Sequence, residues 1–322
     1  MSRSAKGKQM RQLQQLILLF ILGLPLAVAA EPLKVFVSVL PEQTFVERIG
    51  GAQVQVESLV KPGDNPHTFE PTPSQISRLA DADLYLRIGM PFESAWIDRI
   101  RGVNPDIRIL DLSANIKRRT LEAHDHDDDA HHDHDEEHEH EHEHEHEHEH
   151  EHEHEHEHEA SEPDPHIWTS PILVKRMGQA IAAVLSEMDP SHTASYAANL
   201  AAFEADLDAL DRDIREILKP ITQRRFMVFH PAWGYFADAY GLTQIPIEHE
   251  GKEPGPRSLA ALIDQARHTG TRVIFVQPQF SRRAAEQVAN AIGGRVESID
   301  NLAPDYFANM RHVAQVIADA QR

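Results

Sequence analysis

The sequence contains no cysteine among its 322 residues. Without cysteine the chain can form no disulfide, can carry no lipid on a cysteine, and cannot build a thiolate metal site. This absence suits an oxidising compartment, where an unpaired thiol would be a liability. Any specific metal site must therefore be built from histidine, aspartate and glutamate side chains.

Basic residues are absent from one long stretch, Glu122–Glu159, which holds 20 of the 52 acidic residues. This stretch accounts for nearly all of the net charge of −21, because the rest of the chain has 32 acidic residues against 31 basic ones. The remainder is thus close to neutral. A nucleic-acid partner, which requires an excess of positive charge, is not expected.

Residues 1–30 have the pattern of a secretory signal peptide. Four basic residues within the first eleven precede an apolar segment, Leu16–Val28, and small residues follow at Ala27-Val28-Ala29. The apolar segment is shorter than the ~20 residues of a membrane-spanning helix. We expect cleavage near Ala29 or Ala30 and a mature periplasmic protein that begins at about Glu31.

Short apolar runs alternate with helix-like segments, which is typical of α/β domains with parallel sheets. The predicted strands are Leu33–Val39, Val54–Val60, Leu84–Ile88, Ile107–Leu110, Phe226–Phe229, Gln244–Ile247, Val273–Val276 and Arg295–Ser298. Predicted helices lie near Glu42–Ile49, Ser74–Ala80, Phe92–Arg101, Pro171–Glu187, Trp233–Tyr240, Ser258–His268, Arg282–Ile292 and Pro304–Arg322. The sequence therefore predicts an α/β fold with two lobes, at 31–188 and 221–322.

One long helix is predicted to bridge the lobes, at 189–220. It begins after Asp189-Pro190-Ser191 and ends at Lys219-Pro220. Apolar residues recur between these ends at spacings of three and four: Tyr196, Leu200, Phe203, Leu207, Leu210, Ile214 and Ile217. A helix of roughly 28 residues would be about 42 Å long, which is longer than one lobe requires.

A histidine-rich tract interrupts the first lobe at 120–161. It has no apolar periodicity and is expected to be disordered, because it cannot bury enough surface to offset its ordering entropy. Imidazoles and carboxylates in such density bind divalent metals weakly, which is not by itself a specific site. Sixteen of the 23 histidines lie in it: His124, His126, His131, His132, His134, His138, His140, His142, His144, His146, His148, His150, His152, His154, His156 and His158.

Three sparse histidines outside the tract share a more specific context. His67 lies in a turn-rich loop after the second predicted strand, His166 in Asp164-Pro165-His166, and His230 directly after the apolar run Phe226–Phe229. Ligands of open α/β sheets bind at the carboxyl ends of strands, where these residues lie. A carboxylate would complete the shell, from Asp300 or, as the competitor, Glu248. Three imidazoles and one carboxylate suit zinc, whereas a carboxylate in place of one histidine would favour manganese.

Four motifs in this order resemble the metal-binding segments of the cluster A-I solute-binding proteins of ABC importers. They are PGDNPHTFEPTPSQ, DPHIW, FHPAWGYFADAYGL and ESIDNLAP, and the resemblance covers Pro32–Arg322. It implies two lobes joined by a backbone helix, a metal in the interlobe cleft, and His67, His166, His230 and Asp300 as ligands. His230 at the third position implies the zinc-uptake type. Where many members read Glu-Pro, this chain has Gln277-Pro278.

The resemblance implies a monomeric, non-enzymatic periplasmic receptor that carries Zn²⁺ to an ABC transporter membrane permease. A manganese-type receptor and a periplasmic zinc buffer or chaperone, in which the tract binds the metal, remain alternatives. A zinc metallohydrolase is a further alternative, although neither an HExxH motif outside the tract nor a Gly-x-Ser-x-Gly elbow is present. Whether Asp300 or a water molecule completes the zinc shell stays open.

Overall fold

The computed structural model describes residues 31–120, 163–248 and 254–321. From Leu33 onward the described residues belong to one compact unit. The predicted signal peptide and the sixteen tract histidines lie outside the described residues, so these predictions stay predictions. No helix of the described ranges is long and apolar enough to cross a membrane.

The first lobe contains a four-stranded parallel sheet. Its strands are β1 (Leu33–Val37), β2 (Val54–Ser58), β3 (Leu84–Arg87) and β4 (Arg108–Asp111), in the spatial order β2-β1-β3-β4. The register pairs Val35 with Val56 and with Leu84, and Leu84 with Arg108. The strands are apolar because helices cover the sheet, and these are α1 (Leu40–Gly50), α2 (Pro73–Leu79), α3 (Pro91–Val103) and α4 (Pro171–Met188).

The second lobe repeats this arrangement. Its strands are β5 (Arg225–Val228), β6 (Thr243–Pro246), β7 (Val273–Val276) and β8 (Arg295–Ser298), all parallel, in the order β6-β5-β7-β8. Its helices are α6 (Gly234–Tyr240), α7 (Pro256–His268), α8 (Arg283–Ala291) and α9 (Tyr306–Ala320). The predicted α/β class with two parallel-type sheets is confirmed.

One long helix, α5 (Thr193–Leu218), connects the lobes. It is shorter than the predicted segment 189–220, because Pro190–His192 forms a 3₁₀ turn in which the Asp189 carboxylate accepts hydrogen bonds from the Ser191 and Tyr196 hydroxyls. Five members of the predicted apolar stripe are buried and two are half-buried. The helix packs on α1 and α4 of the first lobe and on α9 of the second.

The two lobes share a hydrophobic core. A single cluster of buried residues includes Phe45 and Trp168 of the first lobe, Phe203 of α5, and Phe275 and Tyr306 of the second. Polar contacts also cross between the lobes: the Trp168 indole donates to the Asn301 carbonyl at 2.7 Å, and the Tyr306 hydroxyl donates to the Trp168 carbonyl at 3.0 Å. A separate cluster fills the other face of the second sheet.

Candidate metal centre

His67 is presented by a tight loop that follows β2. The Asp64 carboxylate accepts from the Lys61 N–H at 3.1 Å, and the Asn65 side-chain oxygen accepts from the His67 N–H at 2.9 Å. Gly63 has a φ of 92°, which a residue with a Cβ rarely adopts. These turns are local, so the Gly-Asp-Asn-Pro sequence itself fixes the backbone from which the imidazole projects.

His166 is held by the aspartate two residues before it. One oxygen of Asp164 accepts from the His166 N–H at 2.9 Å and lies 2.7 Å from its Nδ1. Both side chains are only 2% exposed. Because this carboxylate accepts the Nδ1 proton, the Nε2 lone pair of His166 is left free to bind a cation.

His230 directly follows β5 and Phe229, and three groups hold it in place. The Gln277 amide donates to the His230 carbonyl at 2.9 Å, and its oxygen accepts from the His230 N–H at 3.4 Å. The Glu248 carboxylate bonds the His230 Nδ1. Phe280 stacks on the imidazole at 4.6 Å with an interplanar angle of 18°. His230 therefore also presents Nε2 when Glu248 is ionised.

The three imidazoles converge on one point. Ligand nitrogens of His67, His166 and His230 all lie within 4.8 Å of one another, and this is the sole group of three or more metal-binding side chains among the residues that the structure describes. The Nε2 atom of His166 lies 3.3 Å from that of His67 and 3.2 Å from that of His230. Tetrahedral Zn–N bonds of about 2.0–2.1 Å place nitrogens roughly 3.3–3.4 Å apart, so the observed spacing fits such an ion.

Burial and the neighbouring imidazoles keep His67 and His230 neutral. Burial, and then the neighbouring imidazoles, lower the pKa of His67 well below its usual value of 6.5. Burial and His166 likewise lower the pKa of His230 well below 6.5, although Asp164 opposes the shift. Since metals bind the neutral imidazole, both side chains are already in their binding form at neutral pH.

Glu248 is placed behind His230 and is nearly completely buried. Burial raises the pKa of its carboxyl to about 7, and the interaction with His166 partly offsets this rise. Its oxygen hydrogen-bonds to the Nδ1 of His230, whereas the Nε2 of His230 faces the other two imidazoles of the triad His67, His166 and His230. This position suits a residue that orients a ligand better than one that coordinates the metal itself.

Asp300 lies two residues after β8 and is not part of the three-histidine group. One of its oxygens accepts from the Gln279 side-chain amide at 3.0 Å and from the Leu302 N–H at 2.9 Å. The structure thus brings His67, His166 and His230 together, and holds Asp300 by neighbours within its own lobe. Its role as fourth ligand remains a prediction.

Sequence reasoning missed several residues that support the triad: Asp164, Gln277 and Phe280. Asp164 carried a usable signal, because an aspartate two residues before a histidine can accept both the backbone and the ring N–H of that histidine. Gln277 stands out in the sequence only because it replaces a glutamate that many family members have. Phe280 gave no signal, since its stacking depends on how the loop after β7 folds back.

Comparisons with known proteins show the family. The ZnuA family, described as zinc-uptake complex component A periplasmic, matches residues 35–320. The high-affinity zinc uptake system protein ZnuA of Paracoccus denitrificans (strain Pd 1222) is 41% identical over 237 residues, which cover 72% of each chain. Its namesake from Bacillus subtilis (strain 168) is 30% identical over 274 residues, 84% of this chain and 79% of that protein.

A solved structure is similar over nearly the whole length. It is the crystal structure of a ZnuA deletion mutant with zinc bound, with a TM-score of 0.77 and 37% sequence identity, covering 90% of this chain and 98% of that one. The family match spans both lobes and the three histidine-bearing loops. This chain belongs to the ZnuA family, the periplasmic component A of zinc-uptake complexes.

Proposed function

We propose that this protein is a periplasmic zinc receptor that binds Zn²⁺ between its lobes and delivers it to the membrane permease of an ABC transporter. The convergence of three Nε2 atoms, with separations of 3.2 and 3.3 Å from that of His166, carries the proposal. Three lone pairs so close together repel one another unless a cation lies between them or a proton is shared. Family membership supplies the transport context.

The proposed ligand set is His67, His166, His230 and Asp300. Four protein ligands would close a tetrahedral shell, and a closed shell leaves no position for a metal-activated water. A receptor requires this arrangement, whereas a hydrolase requires an open position. The proposal therefore includes the absence of catalysis.

The chemistry of the ligands favours zinc over manganese. Imidazole suits zinc well, whereas manganese prefers carboxylate and water oxygens in octahedral geometry. Two of the three imidazoles also have a buried carboxylate behind Nδ1, which increases the basicity of the ligand nitrogen. The site would thus hold a borderline metal tightly while Asp164 and Glu248 stay behind the imidazoles and do not coordinate it.

Release is proposed to need only small movements. The lobes share one apolar core, and α5 contacts helices of both. A wide opening would expose much of that core to water, at a cost of roughly 25 cal/mol for each Å² of apolar surface. Contact with the permease, which would distort a ligand loop, is therefore the proposed trigger for metal release.

The test is a competition between zinc and manganese in a variant that lacks residues 121–161. We expect the deletion variant to bind one zinc ion with the affinity of the full-length protein and to prefer zinc over manganese. Loss of tight binding with the tract would favour the zinc-buffer function instead. A preference for manganese would favour the manganese-type receptor.

A second arm tests delivery and compartment. Cells that lack the protein should regain zinc-limited growth when the full-length chain is supplied, and lose that rescue when the permease is removed. N-terminal sequencing of the exported protein should give a start near Glu31. Rescue that persists without the permease would contradict the delivery role.

A further inference from the structure

The segments that flank residues 121–162 are closed into a short neck, which comprises residues 119–120 and 163–164. Thr120 and Pro163 form an isolated antiparallel bridge, and the Asp164 N–H donates to the Arg119 carbonyl at 2.8 Å. His166 lies two residues beyond the neck. Any movement of the neck therefore reaches this imidazole directly.

The Tyr235 hydroxyl connects the neck to α6 of the second lobe. The Tyr235 hydroxyl accepts from the Arg119 N–H at 2.9 Å and donates to the Asp164 carbonyl at 2.9 Å. Tyr235 is only 5% exposed, so both bonds form away from bulk water. The Arg119 guanidinium also pairs with Asp238 on the same helix.

Glycine at position 234 lets α6 lie close to the Arg119 and Asp164 side chains of the neck. A Cβ at Gly234 would lie 2.7 Å from the Arg119 Nε and 3.2 Å from a carboxylate oxygen of Asp164. The first distance is shorter than real Cβ contacts, so a larger residue would displace the Arg119 side chain and crowd the Asp164 carboxylate. Contact between neck and α6 is therefore built into the sequence at two adjacent positions.

We propose that Tyr235 is a positioning residue for zinc binding. It belongs to the second lobe, holds the backbone of Asp164, and thereby orients the carboxylate that fixes the His166 imidazole of the first lobe. This inference rests on the proposed function, because it concerns the geometry of the proposed zinc ligands. The Tyr235 phenol thus couples the contact between the lobes to the orientation of the His166 imidazole.

The test compares Tyr235→Phe with Tyr196→Phe. Each substitution removes only a buried hydroxyl, and the Tyr196 hydroxyl donates to Asp189 at 2.8 Å in the turn that precedes α5. We expect Y235F to release zinc to a chelator about tenfold faster, since loss of a residue that orients a metal ligand typically costs 10–100-fold. Y196F should release zinc at the wild-type rate.

Two further readouts separate positioning from a structural role. The visible absorption spectrum of the cobalt(II)-substituted protein should change in Y235F and stay unchanged in Y196F, even if both variants lose similar thermal stability. Asp164→Asn, alone and combined with Y235F, should give effects on zinc release that do not multiply, because both substitutions act through one carboxylate. Independent, multiplying effects would overturn the inference.

Gly234→Ala provides a second variant that leaves the phenol in place. It should also speed zinc release, because its methyl group crowds the Asp164 carboxylate that orients His166. Failure of the wild-type chain to bind zinc tightly would overturn the proposed function. A wild-type chain that binds zinc, with Y235F and G234A that release it at the wild-type rate, would overturn this inference alone.

Discussion

At the scale of single residues, the candidate site depends on pairs in which a carboxylate backs an imidazole. Asp164 fixes His166 and Glu248 fixes His230, each through Nδ1. The two carboxylates differ in how they are placed. Asp164 is two residues from its histidine and is positioned by a local turn, whereas Glu248 approaches His230 from the loop after β6. Asp164 and His166 lie in one tripeptide, whereas Glu248 and His230 come together only when the second lobe folds.

The raised pKa of Glu248 predicts the pH dependence of zinc binding. Below about pH 7 the metal-free protein holds a proton on Glu248, and zinc must displace it because the bound cation favours the ionised carboxylate. Affinity should be constant above about pH 7 and fall by about tenfold per pH unit below it. His67 and His230, with pKa values well below 6.5, should compete with zinc only at lower pH. Competition titrations across this range measure the profile.

Glu248→Gln is the matched variant for that profile. The amide keeps a hydrogen-bond acceptor for His230 Nδ1 but cannot titrate. The decline that begins near pH 7 should therefore disappear, while the steeper loss at lower pH remains. An unchanged profile in E248Q would mean that another group takes up the proton.

Asp300→Asn tests the fourth ligand. If Asp300 coordinates zinc, the substitution removes a negative ligand, and we expect zinc affinity to fall at least 10-fold, as with loss of other metal-site groups. Asp264→Asn, at a carboxylate that is 76% exposed on α7, is the control and should leave affinity unchanged. Competition with a zinc chelator measures the affinity of both variants. Equal affinities in the two variants would show that Asp300 is not a zinc ligand.

At the scale of elements, α5 holds the lobes together through its apolar stripe. Phe203 is completely buried and contacts Phe45 of α1 at 5.7 Å and Phe307 of α9 at 5.9 Å between ring centroids. The spacing of apolar residues every three or four positions predicted this face. That spacing does not predict that the apolar face of α5 packs against both lobes.

Phe203→Ala should strongly destabilise the protein. The substitution leaves a cavity between three helices, and loss of a buried phenylalanine costs roughly 3–5 kcal/mol of the free energy of unfolding. Val103→Ala, at a residue that is 47% exposed, should change it by less than about 1 kcal/mol. Urea denaturation of the metal-free proteins measures both. A loss in F203A no greater than that in V103A would show that α5 does not stabilise the interface.

Most elements could be predicted from the sequence because they depend on local periodicity. Strands β7 and β8 were predicted with the bounds that the structure gives, and His67, His166 and His230 were selected because each lies in a loop at a strand end or before a helix. The rest depends on tertiary distance. Gln277, at the end of β7, hydrogen-bonds to the backbone of His230, and no spacing along the chain predicts that contact.

At the scale of the whole molecule, the shared core limits how far the lobes can separate. Phe275 of the second sheet and Trp168 of the first lobe belong to one apolar cluster. Two hydrogen bonds cross the same boundary: the Trp168 indole donates to the Asn301 carbonyl, and the Tyr306 hydroxyl donates to the Trp168 carbonyl. The fold is therefore better suited to adjusting ligand loops than to hinged closure.

Small-angle X-ray scattering tests this limit directly. The radius of gyration of a variant that lacks residues 121–161 should be the same with and without zinc, because domain closure would have to break the shared core. The deletion removes any contribution of the tract to the scattering. A clear compaction on adding zinc would instead indicate hinged domain closure.

The central claim is that three sparse histidines, and not the histidine-rich tract, form the tight zinc site. The most direct measurement is zinc affinity and stoichiometry for His67→Ala, His166→Ala and His230→Ala, with His312→Ala as control at an exposed residue of α9. Each of the three substitutions should weaken the tight site by at least about 100-fold, because removing a ligand opens the shell, while H312A binds as the wild type does. Tight one-to-one binding that survives in all three would contradict the account.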